Sequence, residues 1–222
     1  PRFAVLYRLT NSTTIRASVG KAFRAPILDD LYRSGIFRGR IYAANPDLGP
    51  EKLVSYELGL KHKFGKKGFI QISTYYTDAE DFFYPIKIGI DPNTGRDLYQ
   101  RKNIGEVDIF GIEGELNFTI KPWLKGFINL TWNESEIDEF KPDPSLEGKD
   151  LEYTPHFKGN IGFTISNPRI CQVQIIGKYV GEMYSDPKNT DELSDHFTVD
   201  VKLRRKFGSH TECYLNVMNL FD

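Results

Sequence analysis

The chain has 222 residues, which is enough to bury a sizeable core as one large β domain or two smaller ones. Its formal net charge of -1 gives no electrostatic reason to expect a nucleic acid as a partner. No stretch approaches the roughly 20 consecutive apolar residues that a membrane-spanning helix needs, which excludes a helical membrane protein but not membrane-spanning strands.

The first predicted element is a hairpin. Apolar residues alternate with polar ones along both of its arms, around a turn at residues 11–14: Phe3, Val5, Tyr7 and Leu9, then Ile15, Ala17 and Val19. Alternation with a period of two is typical of strands whose two faces meet different surroundings. A long connection over residues 25–50 follows, and connections of that length are usually functional or disordered.

The clearest alternation lies further along, in residues 107–137. One face of its first arm is apolar and the other is polar: Phe110, Ile112, Leu116, Phe118 and Ile120 against Glu113, Glu115 and Asn117. A turn at residues 121–123 is too short for anything but a hairpin, and the alternation continues beyond it. The same unit recurs along the whole chain.

Short turns and long connections alternate between the predicted strands. The long connections are residues 25–50, 87–97, 138–150 and 185–195. This order places every tight turn at one end of the sheet and every long loop at the other, as in outer-membrane barrels. We therefore predict an all-β fold, an antiparallel up-and-down transmembrane β-barrel, here an incomplete barrel of about ten strands.

Residues for catalysis or metal binding form no recognisable arrangement. The four histidines are scattered, and no HExxH, CxxC, Walker loop or GxSxG element occurs. Cys171 and Cys213 fall near the starts of predicted strands that lie two apart, which is beyond the reach of a disulfide. The sequence therefore predicts no catalytic residue, no metal site and no cofactor.

Several segments resemble those of the TonB-dependent outer-membrane receptors. The matching segments are residues 20–26 (containing Phe-Arg-Ala-Pro) with Leu31 and Tyr32, residues 45–59 (from Asn-Pro to Tyr-Glu-Leu-Gly), Tyr99 and Asn103 with residues 111–115, residues 153–155, and the closing residues 217–222. They occur in the family's order and cover nearly the whole chain. The set is specific, although each segment alone would be weak.

The resemblance implies a barrel of about 22 strands with a plugged lumen, of which residues 1–222 would form the C-terminal portion, roughly strands 12 to 21. The plug, the TonB-contacting segment, the earlier strands and the final strand would then lie outside this chain. Charged residues on the lumenal face are expected to pair with the plug or with one another across strands. These residues are Glu57, Glu113, Glu115, Asp200 and Arg204.

By the same resemblance, the chain is expected to be part of a TonB-energised active importer in the bacterial outer membrane and not an enzyme. Its expected partners are outer-membrane lipid, TonB through the missing N-terminal part, and a small ligand such as a ferric chelate. A ferric siderophore is the default ligand. Cobalamin, haem and a glycan are alternatives within the family, and a non-transporting surface-binding barrel or a passive porin are alternatives outside it.

The first long connection carries the predicted ligand-binding residues, which are Arg33, Phe37, Arg38, Arg40 and Tyr42. The planar guanidinium group of arginine suits carboxylate and catecholate oxygens, and aromatic rings offer stacking surface. These residue types together predict an outward-facing site for an anionic ferric chelate. The alternative is a solvated loop that binds lipopolysaccharide phosphate or no ligand.

Overall fold

The computed structural model describes residues 1–37, 39–167, 169–208 and 210–221, without the side chain of Ile104. Its strands and its one short α-helix are β1 (Arg2–Arg8), β2 (Thr13–Arg24), α1 (Leu28–Tyr32), β3 (Gly35–Phe37), β4 (Arg40–Ala43), β5 (Glu51–Lys63), β6 (Gly68–Ile90), β7 (Asp97–Lys121), β8 (Leu124–Phe140), β9 (Phe157–Asn167), β10 (Cys171–Val180), β11 (Met183–Tyr184), β12 (Glu192–Leu193), β13 (His196–Phe207) and β14 (Thr211–Val217). No helix among the described residues is long and apolar enough to cross a membrane.

Ten of these strands form one antiparallel sheet in the order β1-β2-β5-β6-β7-β8-β9-β10-β13-β14. Each strand pairs with the next main strand along the chain, which is the up-and-down arrangement predicted from the sequence. β1 and β14 lie at the two ends of this order, so the sheet is an open arc of a barrel. The tight turns gather at one end of the arc, which we name the turn end, and the long connections gather at the loop end.

The two faces of the sheet are chemically unlike. Ile15, Leu60, Ile72 and Leu130 occupy one cross-strand row, interrupted by Gly114. Leu60, Ile72 and Leu130 are 40%, 46% and 46% exposed. A soluble protein would bury such a row, whereas a barrel turns it toward lipid. We name this side the apolar face and the opposite side the charged face.

Charges on the charged face pair across strands. Glu57 on β5 accepts hydrogen bonds from Arg16 and Ser18 on β2, and its carboxylate lies 3.6 Å from Arg2 on β1. Asp200 pairs with Lys178 on the neighbouring strand at 2.5 Å. Arg204 also pairs across strands, with Glu212. The cross-strand pairing expected for Glu57, Asp200 and Arg204 is therefore confirmed.

The second long connection is much shorter than the sequence predicted. Residues 87–97 were expected to be loop, but β6 continues to Ile90 and β7 begins at Asp97. Register shifts after Ala79 and after Lys87 bend β6 and allow pairing to continue beyond the expected strand end. The Asp91 carboxylate then accepts hydrogen bonds from the backbone N–H and hydroxyl of Thr94, which closes the turn.

Cys171 and Cys213 are both free thiols, in agreement with the sequence prediction. They lie on β10 and β14, and β13 runs between these two strands. Neighbouring strands are ~4.8 Å apart, so the distance between two strands that have a third between them exceeds the span of a disulfide.

A small buried cluster lies at the loop end. Tyr84, Ile137, Phe140 and Leu146 have at most 5% of their surface exposed, and Leu151 packs against them. These residues come from β6, β8 and the third long connection, which in the structure runs over residues 141–156 and not over the predicted residues 138–150. The cluster therefore fixes the third connection against the upper part of the sheet.

Gly68, at the turn end, is required by the backbone. Its φ is +138°, and a Cβ added there would lie 1.9 Å from the carbonyl oxygen of Asn117 on β7. We expect Gly68→Ala in the full-length protein to lower the free energy of unfolding by about 1–3 kcal/mol, because a neighbouring strand must move. Thermal unfolding of the detergent-purified barrel, followed by circular dichroism, measures this effect.

Gly114→Ala is the matched control for Gly68→Ala. Gly114 also lies in a strand, but a Cβ there would meet no heavy atom within 4 Å. We expect its melting temperature to stay close to that of the unmodified protein. Equal destabilisation by the two substitutions would contradict the steric explanation.

Candidate functional site

The first long connection adds an extra strand to the loop end of the sheet. In this connection β3 and β4 form an antiparallel hairpin, and β4 also pairs with β7 in parallel, with Tyr42 opposite Tyr99. This edge of β7 is available because β8 pairs with β7 only from Gly105 onward. The connection thus passes β5 and β6 to reach β7, and it carries residues 25–50 over the loop end.

Side-chain amides hold the connection on β7. The Asn103 amide oxygen accepts a hydrogen bond from the Gly49 N–H at 2.7 Å, and its nitrogen donates to the carbonyl oxygens of Gly49 and Asp81, both at 2.9 Å. Asn45 donates to the carbonyl oxygen of Arg101 at 2.8 Å. Two of the segments that carry the family resemblance, residues 45–59 and the segment that contains Asn103, therefore meet at the base of this connection.

An arginine–carboxylate pair joins the two ends of the same connection. Glu51 is 2% exposed, and both of its carboxylate oxygens face the guanidinium group of Arg24. One of these oxygens also accepts a hydrogen bond from the Phe83 N–H at 2.8 Å. The Arg24 guanidinium lies 5.7 Å and 5.3 Å from the ring centroids of Phe82 and Phe83. Strand β6 is thereby tied to both ends of the connection.

Arg40 links the first connection to the third. Its guanidinium lies 3.7 Å from the Glu152 carboxylate and 5.4 Å from the centre of the Tyr99 ring. Partial burial lowers the pKa of Arg40, but Glu152 and then the Tyr42 hydroxyl raise it by more, so the net pKa lies above its ordinary value. Arg40 is therefore a permanent cation with a fixed counter-charge.

A second arginine lies over the Tyr42 ring. Arg101 on β7 donates a hydrogen bond to Asp30 at 2.8 Å, and its guanidinium lies 5.9 Å from the ring centre of Tyr42. The Tyr42 ring centre is 6.1 Å from that of Tyr99 and 6.5 Å from that of Phe37, which meets it edge-on. Three aromatic rings thus contact one another in the mouth, and a guanidinium group lies over each of two of them.

These elements enclose a cleft of about 550 Å³, which we name the mouth cleft. Its walls come from β2, the first connection, β6, β7 and the third connection, and its lining includes Arg24, Arg40, Tyr42, Phe83, Tyr84, Arg101 and Glu152. A neighbouring cleft of about 440 Å³ shares Phe37, Tyr42 and Arg101 with it. Both volumes are within the range of small-molecule sites.

Tyr84 lines the mouth cleft with an unsatisfied polar atom. The residue is 5% exposed, and its hydroxyl oxygen is buried without a hydrogen-bond partner among the described residues. Burial, and then the carboxylate of Glu152, raise the pKa of Tyr84. The phenol is therefore a neutral group with hydrogen-bonding capacity in the wall of the cleft.

The third connection is tied to the fourth beside the cleft. In the structure the fourth connection runs over residues 181–195 and not over the predicted residues 185–195. The Asp150 N–H donates to the side-chain oxygen of Asn189 at 2.9 Å, and the side-chain nitrogen of Asn189 donates to the Asp150 carbonyl at 3.1 Å. The Tyr153 N–H donates to the carbonyl oxygen of Tyr184 at 2.8 Å. The segment of the third connection that carries Glu152 is consequently held in place by hydrogen bonds to the fourth connection.

The structure brings three of the five predicted site residues together. Phe37, Arg40 and Tyr42 line the mouth cleft. Arg33 lies in the neighbouring cleft, where it is 76% exposed and forms an ion pair with Asp29 at 3.5 Å. Arg38 lies outside the described residues.

Sequence reasoning missed the contribution of the strands to the cleft. The missed lining residues include Arg24, Phe82, Phe83, Tyr84 and Arg101 on the strands, and Glu152 in the third connection. The aromatic run at residues 82–84 was a usable signal, because three consecutive aromatic residues break the alternation of β6 just before its turn. Nothing local in the sequence marks Arg101 or Glu152, whose roles depend on long-range pairing.

The chain matches the family model described as "TonB dependent receptor-like, beta-barrel" over residues 1–220. The chain belongs to this family. Among curated relatives, the vitamin B12 transporter BtuB of Photobacterium profundum is 22% identical over 223 residues, covering 100% of this chain and 33% of that protein. The hemoglobin-haptoglobin utilization protein B of Neisseria meningitidis is 28% identical over 133 residues, covering 59% of this chain and 16% of that protein.

Solved structures of TonB-dependent receptors share the fold. The ferric yersiniabactin uptake receptor FyuA from Yersinia pestis superimposes with a TM-score of 0.74 at 19% identity, covering 100% of this chain and 32% of that one. The chain thus spans about a third of the length of BtuB and of FyuA. As part of a TonB-dependent receptor barrel, the sheet lies in the outer membrane, and its short turns and long loops correspond to the periplasmic and external ends of such barrels.

The buried Glu51 carboxylate gives a direct test of the loop base in this TonB-dependent receptor. Glu51→Ala removes the partner of Arg24 and leaves the buried Phe83 N–H without its acceptor. We expect a loss of about 1–3 kcal/mol in the free energy of unfolding, because a buried donor is left unpaired while Arg24 stays partly hydrated. Thermal melting and limited proteolysis within residues 25–50 both report it.

Glu80→Ala is the control for that substitution. It removes an exposed carboxylate from the neighbouring strand β6. Melting and the proteolysis rate are expected to stay close to those of the unmodified receptor. Unchanged proteolysis in Glu51→Ala would show that the pair does not hold the connection.

Proposed function

We propose that the whole receptor is a TonB-energised active importer of a scarce ligand, and that this ligand is a ferric siderophore. The observation that carries the proposal is the mouth cleft at the loop end of a receptor barrel, which combines arginines with aromatic rings. Family membership supports the transport class, and the name of the structurally similar FyuA supports iron. Ligand binding is assigned to Arg33, Phe37, Arg38, Arg40 and Tyr42, with Arg33 in the neighbouring cleft.

The assigned residues would contribute to binding in two ways, through charged hydrogen-bond donors and through apolar contact area. The planar guanidinium of Arg40 offers paired N–H donors to ligand oxygens, while the rings of Phe37 and Tyr42 supply flat apolar area. The ion pair with Glu152 and the contact with Tyr99 hold Arg40 in place before the ligand arrives. A preorganised site loses less entropy on binding, which favours the high affinity that a scarce ligand requires.

The chain would form only one part of this importer. We propose that it is the C-terminal portion of the barrel, and that the plug and the TonB-contacting segment belong to the rest of the receptor. Ligand would bind between the loops and the plug, and energy passed through TonB would then shift the plug and release the ligand inward. In this scheme the barrel wall binds and guides the ligand and has no catalytic role.

Cobalamin and haem are the competing ligands. The name of BtuB favours cobalamin, since that relative aligns with 100% of this chain. The name of the Neisseria relative favours haem, although the alignment covers only 59% of the chain. Both are large conjugated ring systems, for which the aromatic lining of the mouth cleft also offers contact area.

Deletion of the full-length receptor tests the class of ligand. We expect the deletion strain to lose growth on a ferric chelate as sole iron source and to stop accumulating radioactive iron from it, with recovery when the gene is restored. Uptake of labelled cobalamin and growth on haem are measured in the same strains. Unchanged iron uptake together with lost cobalamin or haem uptake would replace the iron proposal with that competitor.

Point variants of the full-length receptor test the site. Tyr42→Ala removes a ring that contacts Phe37, Tyr99 and Arg101, so we expect chelate affinity to fall at least about tenfold. Arg40→Ala is expected to have an effect of similar size. Equilibrium binding to purified receptor measures both.

Lys66→Ala is the control for Arg40→Ala. It removes one exposed positive charge at the turn end, far from the mouth cleft. Its affinity is expected to equal that of the unmodified receptor. If it weakens binding as much as Arg40→Ala does, the effect reflects overall charge and the assigned site is wrong.

A further inference from the structure

We infer that the mouth cleft selects a ferric chelate of low net charge with flat ring or carbonyl-rich surface, in preference to a trianionic chelate. The inference rests on the proposed function and narrows it to a charge class. It departs from the expectation drawn from the loop arginines alone, which favoured an anionic ligand. The decisive feature is that the arginines lining the described part of the mouth cleft pair with carboxylates of the same chain.

Each arginine that lines the described part of the mouth cleft has its own carboxylate. Arg24 pairs with Glu51, Arg40 with Glu152, and Arg101 with Asp30. The carboxylates come from β5, the third connection and the first connection, so the compensation is spread around the walls. The cleft therefore presents arginine hydrogen-bond donors with no excess positive charge among its described residues.

A trianionic ligand would meet these carboxylates at close range. To use Arg40, it must compete with Glu152 at 3.7 Å, and to use Arg101 it must compete with Asp30 at 2.8 Å. Displacing a carboxylate leaves that group without its partner beside the incoming negative charge, which is unfavourable in a partly buried site. An uncharged ligand can accept hydrogen bonds from the same guanidinium groups and leave the ion pairs intact.

The rest of the lining suits such a ligand. The rings of Phe37, Tyr42 and Phe83 give apolar area that gains from contact whatever the ligand's charge. Tyr84 adds a buried hydroxyl whose oxygen has no hydrogen-bond partner in the described structure. A neutral carbonyl-type oxygen, as in a hydroxamate, is a suitable acceptor for a phenol of this kind.

The experiment compares two ferric chelates of different charge on the purified full-length receptor. A hexadentate trihydroxamate forms an uncharged ferric complex, and a hexadentate tricatecholate forms a trianionic one. We expect the trihydroxamate to bind at least about tenfold more tightly at physiological salt. This comparison uses the unmodified receptor and does not depend on the folding of any variant.

Glu152→Gln tests the charge mechanism itself. The substitution keeps the size of the side chain and leaves Arg40 without its counter-charge, so affinity for the tricatecholate should rise at least about tenfold while that for the trihydroxamate changes little. Glu134→Gln is the matched control, because it removes an exposed carboxylate of β8 that does not line the mouth cleft. Its affinities for both chelates should stay unchanged.

The outcomes separate this inference from the proposed function. Preference for the trihydroxamate, reduced selectively by Glu152→Gln, supports the inference. Equal or tighter binding of the tricatecholate by the unmodified receptor, or a Glu152→Gln effect shared by both chelates, overturns it while ferric chelate binding stands. Failure of both chelates to bind overturns the proposed function and this inference together.

Discussion

The requirement that every strand satisfy its backbone by pairing with a neighbour governs this structure. In the hydrocarbon region no water is available, so the N–H and C=O groups of each strand must bond to the strands beside it. The ten main strands meet this requirement in an unbroken antiparallel order. Their side chains are then free to differ on the two faces, which explains why exposed leucine and isoleucine lie directly behind arginine–glutamate pairs.

The same pairing rule extends above the bilayer and builds the site. β6 and β7 continue past the other strands, and the free edge of β7 accepts β4. The site is therefore not a set of independent loops. Its arginines and aromatic rings are held by the edge of β7, by the Asn103 amide and by the buried Glu51 carboxylate. The strands of the barrel wall therefore determine their positions.

The sequence predicted the features that depend on residues close together in the chain, such as strands, their two faces and turns. Alternation in residues 107–137 located two strands and their faces, and the motif at residues 91–95 located a turn, although strand pairing runs closer to that turn than expected. The sequence did not predict contacts between residues that are far apart in the chain. Asp30 and Arg101 are 71 residues apart, and Arg24 and Glu51 are 27 apart, so the sequence did not show that these arginines line the site. It showed Arg40 in the loop, but not the distant Glu152 that pairs with it. Among the described residues, these pairings change the charge of the mouth cleft from cationic to balanced.

The parallel pairing of β4 with β7 also sets an order of events during assembly. β4 cannot find its partner until β5, β6 and the start of β7 have been made and placed, because those strands intervene in the chain. Closing so long a segment costs entropy that neighbouring hairpins do not incur, and contacts of this kind form late in folding. We therefore expect the mouth of the barrel to be completed after its wall. A chain halted before β7 would have the first connection without the strand that β4 pairs with.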